Sequence, residues 1–289
     1  MSAVLVAAAL RWTDPRATAH PLTGTATSAP YAAGVSPADR CALEHGLRLA
    51  ERLGGSCLAV TVGPAGAEEM LREALAAGAD DALRVEGPDG DEAATAHSLL
   101  AGLAAGGRTA DVLVCGNRSL DRGTGATPAH LAARLGWAQA LGLAELGVAV
   151  QDGDGIRLRA VRRLDGGRAE ELDVPLPAVC SVEPGTVRPR RAPLATALAA
   201  RRAEIPVVRV STPQGGGVRA GRMRPYRPRA KVLPAPEGGT RQRLLALTGA
   251  LTPPRTPPRM VTPESPEEAA ELLLAYLREH GANPGTQKS

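Results

Sequence analysis

CLAVTVGPAGAEEMLREALAAGADDALRVE, residues 57–86, is the stretch that decides the fold. Residues 57–63 form a continuous apolar strand pattern closed by Gly63-Pro64. Apolar positions then recur at helical spacing over 68–79, Gly78 supplies a stop, and 81–86 reads as a strand again. Strand, helix and strand in close succession imply parallel neighbours, because the chain needs a crossover to re-enter a sheet in the same direction.

Outward from this unit the rhythm continues. AVLVAAAL (3–10) is an earlier buried strand. Ser36-Pro37 opens a helix that Gly54-Gly55 ends: Ser36 is placed to cap it, Pro37 suits its first position, and Asp39 favours its positive end. Downstream, an alanine-rich helix over about 92–105 leads to the strand DVLVCG (111–116), and Pro128 starts another helix over about 127–135. The expectation is an α/β fold with a doubly wound, mainly parallel sheet. After Trp137, Asp-Gly and Gly-Gly turns between alternating segments predict hairpins up to about residue 185. Residues 191–202 read as a short basic helix and 205–211 as a last strand. Residues 14–37 read as a long loop, and the chain divides into a nucleotide-binding part, 1–211, and an extended Arg/Pro/Gly-rich arm with two short helices, 212–289.

Composition narrows the function classes. The 289 residues are 44% hydrophobic, enough for a core, yet Phe is absent and only Trp12, Trp137, Tyr31, Tyr226 and Tyr276 are aromatic. The core must be Ala, Leu and Val in close-packed layers. Cys41, Cys57, Cys115 and Cys180 are too widely spaced for a zinc cluster, so each is expected to fill a core position and no metal is expected. No apolar stretch reaches the ~18–20 residues of a membrane helix, and no basic segment precedes the first apolar run; a cytoplasmic protein without membrane insertion is expected. The net charge of +4 hides a belt between Val187 and Lys231 with 11 Arg and one Lys against Glu204. Such a belt is either a solvated face or a dock for something acidic. Nucleic acid is the weaker partner, since stacking needs aromatic platforms and the belt offers Tyr226 alone.

Ligands of open parallel sheets bind outside the C-terminal strand ends. Three segments converge there: Val6-Ala7-Ala8, Val62-Gly63-Pro64, and the loop Gly116, Asn117, Arg118, Ser119, Leu120, Asp121, Arg122, Gly123, Thr124, Gly125, Ala126 and Thr127. That loop combines glycines that let backbone N–H groups approach a phosphate, hydroxyls that donate to it, and arginines that pair with it. It matches neither G-x-G-x-x-G nor G-x-x-x-x-G-K-[ST]. No catalytic residues are assigned. His45, His97 and His130 are expected to be partly exposed, and the acid pairs Asp80-Asp81 and Glu170-Glu171 to lie in solvated turns or helix ends. A binding or carrier protein is favoured over a hydrolase.

SPADRCALEHGLRLAE (36–51), residues 59–86, ADVLVCGNRSLDRGTGATPAHLAARLGW (110–137), RRLDGGRAEELDVPLPAVCSVEPG (162–185) and RPRRAPLATALAARR (188–202) follow one another as the signature segments of the electron transfer flavoprotein beta subunits do. The resemblance spans about residues 3–210. It implies a Rossmann-like fold of the adenine nucleotide alpha-hydrolase type and a heterodimer with an alpha subunit that holds most of the FAD. It also implies a structural AMP in this chain, contacted by Ala7, Ser36, Pro37, Ala38, Asp39, Val62 and the loop Gly116 to Thr127. Dehydrogenase donors and a quinone-linked acceptor are the implied electron partners, with Leu194 as the docking anchor and Arg190 and Arg191 beside it. Leu194 could instead share a core face with Leu198, four residues on. The loop departs from the family pattern at Asn117, Arg118 and Asp121-Arg122-Gly123, and the first strand ends in Ala9-Leu10-Arg11-Trp12 where the family has a Lys-Arg pair. The SLDRGTG variant, the arm and the tail are similar to the actinobacterial branch associated with the redox cofactor mycofactocin. The competing reading is a flavin-free adenine-nucleotide-binding regulatory protein.

Overall fold

The central strand, β1 (Leu5–Ala9), is LVAAA, and its small side chains let helices approach on both faces; Val6, Ala7 and Ala8 are wholly buried. The computed structural model describes residues 3–27, 33–152, 155–211, 225–229, 237–249 and 260–281. After β1 come β2 (Trp12–Thr13), β3 (Thr18–Ala19), β4 (Ala26–Thr27) and β5 (Gly34–Val35); β2 pairs with β5 and β3 with β4, both antiparallel. The segment read as a loop thus contains one short ladder and the second strand of another, too brief to show as periodicity.

Helix α1 (Pro37–Leu53) begins as expected: Ser36 Oγ accepts from the Asp39 backbone N–H at 3.0 Å, and Gly54 ends the helix with φ +61°. Strand β6 (Ser56–Val62), helix α2 (Glu68–Ala77), strand β7 (Asp81–Glu86), helix α3 (Glu92–Ala105), strand β8 (Val112–Gly116) and helix α4 (Thr127–Leu135) complete the alternation. Then β9 (Ala138–Asp152), β10 (Gly155–Arg163) and β11 (Ala169–Pro175) form an antiparallel meander. The meander is followed by β12 (Ala178–Val182), α5 (Leu194–Arg201) and β13 (Val207–Arg209). The sheet order is β11-β10-β9-β12-β8-β1-β6-β7-β13, parallel from β9 through β13. The protein is therefore an α/β doubly wound fold.

Two apolar layers clothe the sheet. Cys41, Leu47 and Leu49 of α1 and Met70 and Leu71 of α2 pack with Val6 and Ala8 on one face. Leu99 and Leu103 of α3 and Leu131 of α4 pack with Ala7, Val60 and Leu113 on the other. All four cysteines are buried and free, filling core positions as expected. From β1 the chain steps outward through β6 to β7, then returns through α3 to β8 on the opposite side of β1. The strand order reverses there, and the crevice between diverging loops is where such sheets bind ligands.

Several expectations need correction. His45 is 5% exposed: its Nε2 lies 3.1 Å from Thr186 Oγ1, and burial, followed by the nearby Arg48 charge, lowers its pKa. Glu170 and Glu171 sit within β11, paired across the ladder with Arg162 and Arg159. Asp81 begins β7 bound to Arg108, whereas Asp80 lies exposed in the bend before that strand, as expected, and accepts from the Cys57 backbone N–H at 2.8 Å. The basic helix starts at Leu194 because Pro193, extended at ψ 148°, precedes it.

The contacts divide the chain into units 1–227 and 228–289. In the second, α6 (Thr240–Leu247) and α7 (Pro266–Glu279) match the two expected helices, while the arm residues 212–224 and 230–236 lie outside the described residues.

Gly102 tests the closeness of the packing. A Cβ there would lie inside van der Waals distance of Val85 Cγ1 and Cγ2, and the stiff, fully buried valine of β7 cannot swing away. Gly102→Ala, which in an exposed helix stabilises by about 1 kcal/mol, is expected here to destabilise by about 1–3 kcal/mol, as urea denaturation would measure.

Candidate functional site

A cleft open to solvent sits at the switch point. Its floor is made by Ala9 at the end of β1 with Leu10 and Arg11 after it, Val62 at the end of β6, and Cys115 and Gly116 at the end of β8. Asp39 from α1, Glu92, Thr95 and Leu99 from α3, and the loop after β8 form the walls.

Asp39 is 6% exposed and joins three segments. Its Oδ2 accepts from Ser36 Oγ at 2.8 Å and its Oδ1 from the Gly116 backbone N–H at 3.3 Å; the Arg11 backbone N–H also donates to it. Burial raises this carboxyl to about 6, against the opposing pull of those hydrogen bonds and of the Arg11 charge. Gly116 is required by this contact, since a Cβ there would stand 2.6 Å from Asp39 Oδ1.

The loop closes on itself through Ser119 N–H to Thr124 O at 2.8 Å and Gly123 N–H to Ser119 O at 3.0 Å. Gly123 adopts φ +66°, so a side chain there is opposed by the backbone rather than by space, whereas a Cβ on Gly125 would collide with the Asn117 carbonyl. Three arginines face the cleft: Arg11, Arg118 and Arg122. Arg11 holds Asp121 with both nitrogens, Nε to Oδ1 at 3.1 Å and Nη2 to Oδ2 at 2.8 Å; Arg122 stands 3.9 Å from Asp89. Burial alone would raise Asp121, but Arg11 outweighs it and keeps the carboxyl below its ordinary value. Arg118 has no ion-pair partner among the described residues. Ser119 Oγ is enclosed without a hydrogen bond of good geometry, its weak approach to Asp121 helping to keep that group charged. A guanidinium without an ion-pair partner among the described residues, at the mouth of the cleft, suits an oxyanion such as a phosphate.

The structure gathers Asp39, Val62, Gly116, Arg118, Ser119, Arg122, Thr124, Gly125 and Thr127 at the cleft. Ala7 is inside β1, and Ser36, Pro37 and Ala38 form the α1 start behind Asp39. Asn117, Leu120, Asp121, Gly123 and Ala126 belong to the loop without lining the cleft. Arg11, Glu92 and Thr95 were missed; α3 follows β7, and the rule that helix N-termini lie at the C-terminal sheet edge would have found Glu92 and Thr95.

Elsewhere, Arg190 is turned inward. Its Nε meets Glu44 at 3.0 Å and its Nη1 meets Glu51, while Glu44 is 3% exposed. These pairs pin the 187–193 segment to α1. Leu194 and Leu198 are 76% and 52% exposed on one face of α5, so they are not a core face, and Arg191 is exposed beside them.

Over residues 30–213 the chain matches the electron transfer flavoprotein domain. It belongs to that family. Protein FixA of Azorhizobium caulinodans is 32% identical over 192 residues, covering 64% of this chain and 67% of the relative. The electron transfer flavoprotein subunit beta of Sus scrofa is 32% identical over 184 residues, 61% of this chain and 68% of the relative. The acryloyl-CoA reductase electron transfer subunit gamma of Anaerotignum propionicum is 31% identical over 177 residues, 58% and 62% respectively. The chain is thus of the electron transfer flavoprotein beta type, and the family match includes the cleft from Asp39 to the loop. Among the described residues no helix is long and apolar enough to cross a membrane, and no group of His, Cys, Asp and Glu is placed to hold a metal.

Asp39 gives the site a pH signature. The folded chain holds this proton more tightly than the unfolded one, whose value is near 3.8. Its linked stabilisation is full below 3.8 and is lost as pH rises through about 6. Relative to Asp39→Asn, the wild type is therefore expected to lose stability between pH 4 and about 7 and to change little above that, measured by denaturation across the range.

Proposed function

We propose that this chain is the beta-type half of a cytoplasmic, two-subunit electron carrier, holding an adenine nucleotide, AMP, by its phosphate in the switch-point cleft. The carrying observation is that cleft: Arg118, without an ion-pair partner among the described residues, and a glycine-built loop stand where a chain of this family and fold would hold an anion. In this reading an alpha-type subunit holds most of an FAD and this chain completes its surroundings. The flavin, when bound, supplies the redox ring; the protein supplies position, charge and shielding. Partner dehydrogenases donate the electrons and a quinone-linked acceptor receives them, so the chain is a carrier rather than a catalyst with its own substrate. The SLDRGTG loop, the Arg-rich arm and the long tail support membership of the actinobacterial, mycofactocin-associated branch.

Co-expression with an alpha-type subunit is the test. The expected product is a yellow complex that releases both FAD and AMP on denaturation. A colourless complex carrying adenine nucleotide alone would instead favour the flavin-free regulatory reading. Gly125→Ala, which drives a Cβ into the Asn117 carbonyl, is expected to reduce the AMP released while the fold persists.

Docking of the dehydrogenase is assigned to α5. The inward ion pairs of Arg190 present Leu194 outward, with Arg191, Arg201 and Arg202 to steer an acidic partner toward the apolar anchor. Leu194→Ala is expected to weaken that partner by about 2 kcal/mol, roughly thirtyfold, with an unchanged flavin spectrum. An unaltered rate of electron transfer from the dehydrogenase would remove Leu194 from the interface.

A further inference from the structure

The loop after β8 is held at both ends of the cleft by chain segments distant in sequence. Arg11, at the end of β1, grips Asp121 across 110 positions with a two-pronged contact whose side chains are only 21% and 27% exposed. At the opposite wall Thr124 Oγ1 hydrogen-bonds Glu92 in the first turn of α3, and Arg122 faces Asp89 just before that helix. Arg118 and Ser119, which line the cleft, lie in the same loop immediately before the first anchorage. Planar, paired hydrogen bonds between guanidinium and carboxylate fix orientation as well as distance. Partial burial spares this pair the screening that makes exposed ion pairs weak.

We propose that the Arg11–Asp121 pair is a positioning strap: it holds the loop across the cleft, with the Glu92 contact as its second anchorage, so that a bound nucleotide is a resident group whose release requires the pair to open. Neither residue needs to touch the ligand. Arg11 acts through Asp121 on the loop, and the loop presents Ser119 and Arg118. The proposal rests on the reading of the cleft as a nucleotide site, but the closure of the loop is measurable without any ligand.

The test uses the full-length chain and two variants, Arg11→Gln and Asp121→Asn, with the double variant. Amide hydrogen exchange in residues 117–126 of the ligand-free protein is expected to rise about tenfold in each single variant, and no further in the double one, as for two halves of one interaction. With AMP as the probe, release of labelled AMP into excess unlabelled AMP is expected to be about tenfold faster in each variant. Additive effects in the double variant, or loop exchange equal to that of the wild type, would overturn the strap. Faster loop exchange with unaltered AMP release would overturn its control of the ligand. If the wild type takes up no AMP, the nucleotide reading fails by itself, and the ligand-free exchange still decides whether the pair closes the loop. Should Arg11→Gln not fold, Asp121→Asn removes the same pair from the exposed side.

Discussion

The buried carboxyl of Asp39 is the joint on which the functional edge depends. It accepts hydrogen bonds from the cap of α1, from the last residue of β8 and from the backbone beyond β1. Helix α1 already packs on the parallel neighbours β1 and β8, and the carboxyl ties the ends of those strands to the helix cap. A carboxyl with two oxygens can serve all three donors, and burial makes each bond stronger while making the charge itself costly. Gly116 follows from this requirement, because any side chain at that position would occupy the place of Asp39 Oδ1.

Much of the fold was legible because its signals are local. Ser36 caps α1, Asp91 caps α3 by accepting from the Ala94 N–H at 2.7 Å, Pro128 lies in the first turn of α4, and Gly54, Gly78 and Gly136 end helices with positive φ. The glycine-rich loop was legible for the same reason, lying between one apolar strand and one capped helix. What periodicity could not show are the pairs made across the sheet. Arg11 with Asp121, and Arg190 with Glu44 across 146 positions, depend on which strands are neighbours, and no local pattern encodes that. His45 escaped for a related reason. Its place on α1 looks peripheral by sequence, yet the meander strand β9 and Thr186 cover it.

The basic belt separates into two roles once the ion pairs are known. Arg190 is committed to Glu44 and Glu51, whose charges raise its own pKa further, and Arg209 stands 3.5 Å from Glu86. Arg190 holds its segment to α1, whereas the Arg209 pair on β13 is exposed and contributes little. Arg191, Arg201 and Arg202 remain exposed around Leu194 and Leu198. Counting charge along the sequence therefore overstates the field available to a partner. The apolar pair is what makes the remaining field specific, because charge speeds an encounter whereas a buried anchor fixes its geometry.

The tail follows a different logic. Helix α7 has no buried residue within its unit, yet it carries almost every local device that favours a helix. Ser265 caps it by accepting from the Glu268 N–H at 3.1 Å, Glu268 in turn accepts from the Glu264 N–H at 2.7 Å, Pro266 opens it, and Arg278 lies in its last turn. A helix of 14 residues is marginal alone, so such reinforcement matters most where tertiary packing is missing. Leu273, Tyr276 and Leu277 share one exposed face, and a face of this kind gains from burial against a partner. Because the caps have already met part of the ordering cost, less of that burial is consumed in forming the helix, and more of it appears as affinity.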